Sequence, residues 1–314
     1  MKIVIVGPGA MGCLLGSFLA RLYGASGRPG DKLWLLEKSE ERAARLNESG
    51  ISIEGISGNW HSRIKVTASP AEIGRADLVI ICVKAYDTRD AIMQAKALVD
   101  EDTRVLTMQN GIGNIEVISE VVGQDKVIGC ITSHGATLLG HGRIRHAGKG
   151  ETVIGRLDGK IPVELRQIRE IFNKAGLETR ISRDIKGLLW SKLIVNAGIN
   201  ALSAVTRLNN GQLLKFETTR RIMRESITEA IRVAKRKRIR LIYDDPLAKV
   251  EAVCEATSEN VSSMLQDILN KKRTEIDFIN GVIVRHAQEL GLAVPVNSVL
   301  ADLVKTLEQN QGRF

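Results

Sequence analysis

The sequence predicts an α/β protein in which an N-terminal Rossmann-like doubly wound sheet is followed by an all-α C-terminal domain. Short apolar runs alternate with helical periodicities through the first half of the chain, which is typical of a parallel sheet covered by helices. A glycine-rich turn joins the first apolar run to the first helical segment. After about Asp184 the strand-like runs vanish, so we predict two domains, residues 1–183 and residues 184–314.

The first junction carries the most specific motif of the N-terminal half. A short buried strand is predicted from Met1 to Val6 and a helix from Cys13 to Leu22. Between them stands a Gly-x-Gly-x-x-Gly turn formed by Gly7, Pro8, Gly9, Ala10, Met11 and Gly12. At a strand-to-helix junction these glycines permit a tight turn and the close approach of a pyrophosphate to the helix N-terminus. The motif predicts a dinucleotide site, and the alternative is a glycine-rich turn without a ligand.

The remaining elements follow the same alternation. Further strands are predicted at Leu33–Leu36, Asp77–Val83, Val105–Thr107 and Val127–Ile131, with helices at Ser39–Ser49, Thr88–Leu98 and Asn114–Val122. The glycine-rich segment from Ile144 to Gly155 alternates in polarity and predicts a β-hairpin that closes the first domain. Beyond it, Thr274 and Asp277 resemble a capping box for a helix that stops at Gly291, and Asn297 is a candidate cap for the last helix.

Composition narrows the class of protein. Charged residues make up 26% and apolar residues 44% of 314 residues, which is ordinary for a folded soluble chain. We find no apolar run of the roughly 18 residues that span a bilayer, and the N-terminus lacks the pattern of a signal peptide. We therefore expect a cytoplasmic protein without a membrane partner. The widely spaced Cys13, Cys82, Cys130 and Cys254 suit reduced thiols of the core.

The net charge of +9 raises the question of nucleic acid. The densest basic run is residues 235–240, but aromatic residues make up only 4% of the chain and no nucleic-acid motif accompanies the charge. We interpret the run as a solvated helix end and expect no nucleic-acid partner. A positive field would attract an anionic cofactor and an anionic substrate.

The segment from Trp190 to Val205 is an apolar helix pattern interrupted by a polar line. Lys192, Asn196 and Asn200 are spaced at i, i+4 and i+8, so they drift by only about 40° per step and share one helix face. A helix that is apolar nearly all round is normally buried, so an ammonium group on it should face a cleft. A lysine beside two amides can act as a general acid and oxygen anchor. The alternative is a lysine whose head group reaches the surface, with two ordinary helix asparagines.

The chain resembles the ketopantoate reductase (2-dehydropantoate 2-reductase) family over nearly its whole length. The resemblance rests on GPGAMG at 7–12, Lys84, Gln109-Asn110-Gly111, the helix with Lys192, Asn196 and Asn200, and the run 260–287. It implies an NADPH-linked reduction of the ketone of ketopantoate, a small 2-keto acid, to pantoate on the route to pantothenate and coenzyme A. It implies Lys192 as general acid and Glu275 as a catalytic substrate ligand. Further substrate contacts are implied for Asn110, Asn196, Asn200, Asn210, Asn260 and Ser263.

The chemistry agrees with these roles. Hydride addition to a ketone builds negative charge on oxygen, so a cation or acid must lie within hydrogen-bond reach, and Lys192 supplies it. Asn110 follows a strand, at the sheet edge where ligands bind, and could brace the lysine and the nicotinamide. Ser263 and the asparagines are neutral donors for a carboxylate. Glu275 can accept from a substrate hydroxyl, although an acid in the first turn of a helix is also favoured by the helix dipole.

The choice between NADPH and NADH depends on the residues around the end of the second predicted strand. Glu37 ends the second strand, where an acid commonly binds the ribose hydroxyl of NAD, but Lys38 beside it could receive the 2′-phosphate of NADP. The tract from Ala25 to Asp31 lengthens the loop before that strand. Lys84 could reach the cofactor or substrate as a positive charge, the alternative being a plain surface lysine. We predict NADPH, with NADH activity left open.

Metal binding and two competing functions are less favoured than the reduction of ketopantoate. His134, His141 and His146 fit no common zinc spacing, and we expect no metal. One competing function is a related NAD(P)-dependent reductase of another 2-keto or 3-hydroxy acid. Another is a dinucleotide-sensing binding protein, against which Lys192 argues because a sensor needs no buried acid. The oligomeric state is left open, with a homodimer among the options.

Overall fold

The structure, a computed structural model, describes residues 1–23 and 32–310. The tract from Ala25 to Asp31 lies outside the described residues. The chain divides into two compact units, Met1–Gln109 with Asn114–Ile185, and Asn110–Gly113 with Lys186–Phe314. The sequence placed the boundary after residue 183, and it did not foresee that Asn110–Gly113 clusters with the second unit.

The first unit is built on an eight-stranded sheet accompanied by a four-stranded sheet. The strands are β1 Ile3–Val6, β2 Leu33–Leu36, β3 Ile51–Gly55, β4 Trp60–Ser62, β5 Lys65–Thr67, β6 Leu78–Ile81, β7 Arg104–Thr107, β8 Val127–Thr132, β9 Gly135–Gly140, β10 Arg143–Gly148, β11 Thr152–Gly155 and β12 Thr179–Ile181. The larger sheet has the order β12-β11-β8-β7-β6-β1-β2-β5 and the smaller one the order β4-β3-β10-β9. The central strand β1 pairs in parallel with β2 and β6, and all three are buried throughout. Strands buried on both faces read as continuous apolar runs, which is why the sequence identified them.

Within its described residues, this unit has six α-helices. They are α1 Ala10–Ala20, α2 Glu40–Ser49, α3 Pro70–Ile73, α4 Thr88–Ala95, α5 Asn114–Val122 and α6 Val163–Lys174. The strands and helices predicted up to Ile131 are confirmed to within three residues at each end. The short strands β3, β4, β5, β9 and β12 and the helices α3 and α6 were missed. Strands β4, β5 and β12 have three residues each, too few for a period of two to stand out.

The predicted hairpin from Ile144 to Gly155 is wrong in its pairing. Strand β10 pairs with the preceding β9, and the turn between them includes Gly142 at φ 64°. Strand β11 instead joins the main sheet antiparallel to β8 and parallel to β12. Alternating polarity identifies a strand but not its partner, and here the turn glycine lies before the segment rather than within it. The segment does not close the unit either, because α6 and β12 follow it.

Two of the three histidines that fit no zinc spacing, His134 and His146, form a buried pair in the first unit. His134 Nδ1 lies 3.0 Å from His146 Nε2, and His146 Nδ1 lies 2.6 Å from Ser57 Oγ. Phe18 packs edge-on against His146 and tilted against His134. Burial, together with the neighbouring His146 and Lys149, lowers the pKa of His134 from its ordinary 6.5 to about 4. Burial is also the main cause that lowers the pKa of His146. The pair is therefore neutral in the folded protein at pH 7.

We expect this pair to make the first unit sensitive to acid. The pKa of His134 is lower in the folded state than in the unfolded state, so its contribution is complete above pH 6.5 and is lost as the pH falls toward 4. Protonation of His134 in the unfolded state should lower the free energy of unfolding by about 2 kcal/mol between pH 7 and pH 5. Urea titrations at both pH values measure the loss. His134→Gln should reduce it and the exposed His141→Gln should leave it unchanged; equal losses in both variants would contradict the assignment.

The second unit contains helices only, apart from short 3₁₀ turns, among the residues described. They are α7 Ile185–Thr206, α8 Glu217–Arg236, α9 Pro246–Ala256, α10 Ser263–Leu269, α11 Asn280–Glu289 and α12 Pro295–Gln309. The all-α prediction for this part of the chain is confirmed. Helix α7 meets the length and composition of a membrane span, with a mean hydropathy of 1.3, although the sequence analysis found no such run. Of that stretch, 72% is buried inside the protein, as in the core helix of a soluble protein.

Both helix caps predicted in this unit are wrong. Thr274 Oγ1 accepts from the Ile276 N–H at 3.2 Å, but it opens a 3₁₀ turn, Ile276–Phe278, and α11 begins only at Asn280. Asn297 lies inside α12, which begins at Pro295. Its side chain donates to Glu229 Oε2 at 2.7 Å and to the Ser226 carbonyl at 2.9 Å. Pro295 starts the helix earlier because its fixed φ suits the first helical position.

The buried carboxylate of Glu229 takes over the capping of α12. It accepts the backbone N–H groups of Val296 and Asn297, both at 2.9 Å. Asn297 Oδ1 in turn accepts from Asn280 Nδ2 at 3.0 Å, and the same amide donates to the Ala197 carbonyl of α7 at 3.2 Å. A buried polar network of this kind fixes one arrangement of helices, because each broken bond would leave a group unsatisfied. It holds α7 in place.

Candidate active site

The glycine turn has the geometry of a phosphate-binding loop. Gly7 adopts φ 90°, and a Cβ there would lie 2.5 Å from Val83 Cγ1. A Cβ at Gly12 would lie 2.3 Å from the Gly7 carbonyl oxygen, so the third glycine lets α1 pack against the turn. A Cβ at Gly9 would meet nothing within 4 Å. Two glycines are thus needed by the protein itself, whereas the middle one faces open space where a pyrophosphate could approach.

The N-terminus of α1 suits an anion. Helix α1 begins at Ala10 with no side-chain cap and no acidic residue in its first turn. The first N–H groups of a helix have no partner within it and carry partial positive charge. The predicted residues Gly7 to Gly12 therefore fit the pyrophosphate of a dinucleotide.

The end of β2 lies beside this turn, because the Gly7 N–H donates to the Leu36 carbonyl at 3.0 Å. Glu37, the next residue, is only 4% exposed. Its Oε1 accepts the Lys38 N–H at 2.9 Å and its Oε2 lies 3.3 Å from Arg42 Nη2. The carboxylate is thus engaged within the protein, which disfavours the role of a ribose ligand for Glu37.

Arg42 is a site candidate that the sequence analysis missed. Ser39 caps α2 and accepts the Arg42 N–H at 3.3 Å, so Arg42 lies in the first turn of that helix. Its side chain is 43% exposed, and Glu37 holds its guanidinium group next to the end of β2. The predicted Lys38 is 74% exposed, and its Nζ lies 4.0 Å from Asp87 Oδ2. The signal in the sequence was the spacing, since a Ser cap three residues before an arginine directs that side chain back toward the strand end.

The loop after β6 brings Lys84 toward the glycine turn. Val83 contacts Gly7, and Cys82 Cβ would lie 3.4 Å from a Cβ at Gly12. Lys84 follows directly, half-buried, and precedes a 3₁₀ turn, Ala85–Asp87. The plain surface lysine is the weaker alternative, because the residues just before Lys84 form the wall of the predicted cofactor loop.

Asn110 is positioned by the second unit. The loop Asn110–Gly113 follows β7, and its Ile112 N–H donates to the Phe278 carbonyl at 3.1 Å. Gly111 adopts φ 83°, and a Cβ there would lie 2.5 Å from the same carbonyl oxygen, so only glycine permits this contact. The loop therefore packs against the 3₁₀ turn that directly follows Glu275. The segments that carry two predicted substrate residues, Asn110 and Glu275, thus meet at Phe278 although they lie far apart in the chain.

Glu275 is 5% exposed and precedes a 3₁₀ turn of only three residues. The macrodipole of so short a turn is small, which weakens the explanation that the acid is there to complement a helix. Burying a carboxylate is costly unless it has a polar partner, and Glu275 does interact with other groups of the protein.

On helix α7 the predicted row of polar residues, Lys192, Asn196 and Asn200, includes two side chains that are only partly buried. Lys192 and Asn196 are half-buried and Asn200 is 6% exposed, whereas Leu193 and Ile194 are buried. Lys192 has contacts within the protein and is not a solvated surface group. The line runs from a partly accessible lysine to a buried amide, as expected for a group that faces a cleft.

The remaining predicted substrate residues cluster in the second unit. The Asn210 N–H donates to the Asn260 carbonyl at 3.0 Å, and Asn210 Nδ2 donates to Thr257 Oγ1 at 2.9 Å. The buried Oδ1 of Asn210 has no hydrogen-bond partner. Ser263 is exposed at the first residue of α10, while the neighbouring Ser262 caps that helix. Asn260 is also exposed, so its amide and the Ser263 hydroxyl are both accessible to a ligand.

Neither metal binding nor thiol chemistry is prominent among residues 1–23 and 32–310. Within them no group of three or more His, Cys, Asp or Glu side chains could hold a metal ion. All four cysteines are free, and Cys13 Sγ donates to the Pro8 carbonyl at 3.2 Å. Burial raises the pKa of Cys13 to about 12, so this thiol stays protonated and supports the glycine turn structurally.

Comparison with known proteins identifies the family. The family model "Ketopantoate reductase PanE/ApbA" matches residues 3–159, and "Ketopantoate reductase PanE/ApbA C terminal" matches residues 184–308. The chain belongs to the ketopantoate reductase family. This is a family of soluble biosynthetic oxidoreductases that use nicotinamide dinucleotides.

Individual relatives span the whole chain. A 2-dehydropantoate 2-reductase of Pyrococcus horikoshii is 38% identical over 312 residues, covering 99% of both proteins. A PanE/ApbA family ketopantoate reductase from Ralstonia eutropha is 32% identical with a TM-score of 0.89 and full coverage of both chains. A D-mandelate dehydrogenase solved with NADH and anilino(oxo)acetate is 26% identical with a TM-score of 0.89, covering 99% of this chain and all of that one. The predicted fold class is confirmed.

Proposed function

We propose that the protein is an NADPH-dependent 2-dehydropantoate 2-reductase, which reduces the ketone of ketopantoate to the alcohol of pantoate. The observation that carries the proposal is Lys192, a half-buried lysine at the head of an amide line on a core helix, in a chain of this family. Proteins named 2-dehydropantoate 2-reductase are 35% and 38% identical to this chain over 99% of its length, which supports ketopantoate as the substrate.

In this proposal the bound nicotinamide supplies the hydride. Lys192 donates a proton to the ketone oxygen as negative charge develops there, so the oxygen stays bound to its carbon and becomes the hydroxyl of the product. Asn196 and Asn200 orient the lysine and the substrate along the same helix face. Asn110 is fixed by the contact of its loop with Phe278 and braces the reacting end of the ligands.

The remaining polar groups hold the substrate. Ser263, Asn260 and Asn210 offer neutral donors to the substrate carboxylate, while Glu275 accepts from a substrate hydroxyl. A buried acceptor discriminates strongly against substrates that lack the hydroxyl, because its own hydrogen bond is then lost. This arrangement favours a hydroxylated 2-keto acid over a purely apolar one.

A steady-state assay tests the proposal directly. The purified protein is given ketopantoate or phenylglyoxylate, the keto acid that corresponds to mandelate, each with NADPH and with NADH. We expect the highest kcat/KM for ketopantoate with NADPH. Preference for phenylglyoxylate would instead assign the chain to a reductase of other 2-keto acids, and binding of dinucleotide without any reduction would indicate a sensor.

We expect Glu275→Gln to weaken productive binding of ketopantoate by at least about tenfold in kcat/KM, because a good acceptor is replaced by an amide that cannot reproduce its charge. Dinucleotide affinity should stay within twofold. Steady-state kinetics and calorimetry with each ligand measure the two effects. Glu255→Gln, an exposed residue of α9, is the matched control. A Glu275→Gln enzyme with kcat/KM within twofold of the wild type would remove Glu275 from the substrate site.

The preference for NADPH should depend on Arg42 and Lys38. Arg42→Ala should lower the ratio of kcat/KM for NADPH to that for NADH by about fivefold, since a partly exposed charge contact is worth roughly 1 kcal/mol. Lys38→Ala should act in the same direction but less, because Lys38 is more exposed. Arg45→Ala, on the same helix and paired with Glu41, is the control. If only Lys38→Ala changed the ratio, Arg42 would be a structural partner of Glu37 alone.

We place the protein in the cytoplasm, acting on a small 2-keto acid without a nucleic-acid or membrane partner. Part of the basic run at 235–240 has a structural explanation that needs no nucleic acid. Helix α8 ends at Arg236, and the helix dipole favours the cations Lys235 and Arg236 in its last turn.

A further inference from the structure

An open cleft of about 760 Å³ lies in the first unit, between α6 and β12. Strand β12 is an edge of the eight-stranded sheet, so the cleft is formed where the sheet ends. It is lined by residues between Ile161 and Ile181, none of which takes part in the proposed reduction. Its volume falls within the roughly 300–1,000 Å³ that small-molecule sites occupy.

The lining is strongly basic. Four of its nine residues, Arg166, Arg169, Lys174 and Arg180, carry positive charge, against one acid, Glu170. In the whole chain only 45 of 314 residues are Lys or Arg. The general basicity of the protein therefore does not account for the cleft.

The acids nearby neutralise only part of this charge. Arg169 lies 3.8 Å from Glu170, and Arg180 Nε lies 2.7 Å from Glu151 Oε1. Arg166 and Lys174 form no ion pair with any of the described residues. The helix dipole favours Lys174 at the end of α6, but it gives no reason for the arginines one and two turns earlier. Like charges gathered on one face repel each other unless an anion lies between them.

The cleft is also rigid, with an apolar base. Asn173 Nδ2 donates to the Thr179 carbonyl at 3.0 Å, and Asn173 Oδ1 accepts the Thr179 N–H at 2.8 Å, so one amide fixes α6 to β12. Ile161 and Ile181 are partly buried and pack against the main hydrophobic core. Cationic side chains thus stand around a floor that can receive an apolar or ring-shaped group.

We propose that this cleft binds a small organic phosphate. The guanidinium groups of Arg166 and Arg169 match phosphoryl oxygens in two-pronged geometry, and Lys174 adds a point charge. A phosphate, rather than a single carboxylate, suits the site because more than one cation is unneutralised. The body of the ligand would lie on Ile161 and Ile181. This site is separate from the glycine turn and would be filled together with the nicotinamide dinucleotide.

Calorimetry with inorganic pyrophosphate and with ADP tests the proposal, using the full chain saturated with nicotinamide dinucleotide so that the glycine turn is filled. We expect ADP to bind more tightly than pyrophosphate. Arg166→Ala combined with Lys174→Ala should weaken ADP at least tenfold. Both residues are exposed, so the variant should fold and keep its kcat for ketopantoate.

The matched control removes the same charge elsewhere. Lys235→Ala combined with Arg236→Ala, at the end of α8, should change the ADP affinity by less than twofold. Equal weakening in the two double variants would show a general field effect and overturn the site. No heat with either probe at millimolar concentration would overturn it as well. If a short RNA bound more tightly than ADP, and the cleft variant lost that binding, the ligand would be a nucleic acid and the proposal of a small organic phosphate would be wrong.

Discussion

Replacing Lys192 with alanine should lower kcat by about 10²- to 10³-fold while the affinity for NADPH stays within twofold. Removing a preorganised donor to a developing oxyanion typically has an effect of this size, because the interaction is stronger in the transition state than with the substrate. The lysine is half-buried on a core helix, between the buried Ser191 and Leu193, so its ammonium group is held in place before the substrate binds. Single-turnover kinetics and fluorescence titration of the dinucleotide measure the two quantities.

Lys186→Ala is the matched control for this experiment. Lys186 belongs to the first turn of the same helix and is exposed, so its removal should leave kcat within twofold. Retention of more than a third of the wild-type kcat by Lys192→Ala would exclude Lys192 as the acid. A parallel loss of thermal stability in Lys192→Ala alone would point instead to a packing role for the lysine stem.

The fold was predictable wherever burial imposed a simple pattern. Strands β1, β2 and β6 are buried on both faces and read as unbroken apolar runs, and α7 shows its polar line against an apolar background. Pairing was not predictable, because the alternation within β10 gives no information about β9 as its partner. Helix starts in the second unit were misjudged for a related reason. The cap of α12 is Glu229, which is far away in sequence, and local capping signals could not show it.

In the candidate site, too, local sequence patterns were predictable and contacts between distant segments were not. The glycine turn and the line on α7 are local patterns whose spacing carries their geometry. Arg42 was missed because its meaning depends on the burial of Glu37, which the sequence does not reveal. The approach of the Asn110 loop to the turn after Glu275 is a contact between segments more than 160 residues apart. Its one local trace is Gly111, whose positive φ permits the contact with Phe278.

Gly9→Val should weaken dinucleotide binding by about 10²-fold without lowering the stability of the protein. The backbone of Gly9 lies at φ −79° and ψ −161°, which any residue can adopt, and a Cβ there would meet no protein atom within 4 Å. The added side chain would occupy the space in which a pyrophosphate approaches the N-terminus of α1, so it removes close N–H contacts to the phosphate. Calorimetry with NADPH and thermal unfolding of the free protein measure affinity and stability separately.

Gly12→Ala serves as the contrasting variant. Its Cβ would lie 2.3 Å from the Gly7 carbonyl oxygen, so it must displace α1 or the turn and should lower both stability and affinity. Gly9→Ala, with a smaller side chain in the same open space, should weaken NADPH by about tenfold and leave the midpoint of unfolding unchanged. The three variants distinguish a ligand-binding glycine from a packing glycine within one turn. Normal NADPH affinity in Gly9→Val would mean that the turn is a structural junction and that the dinucleotide lies elsewhere.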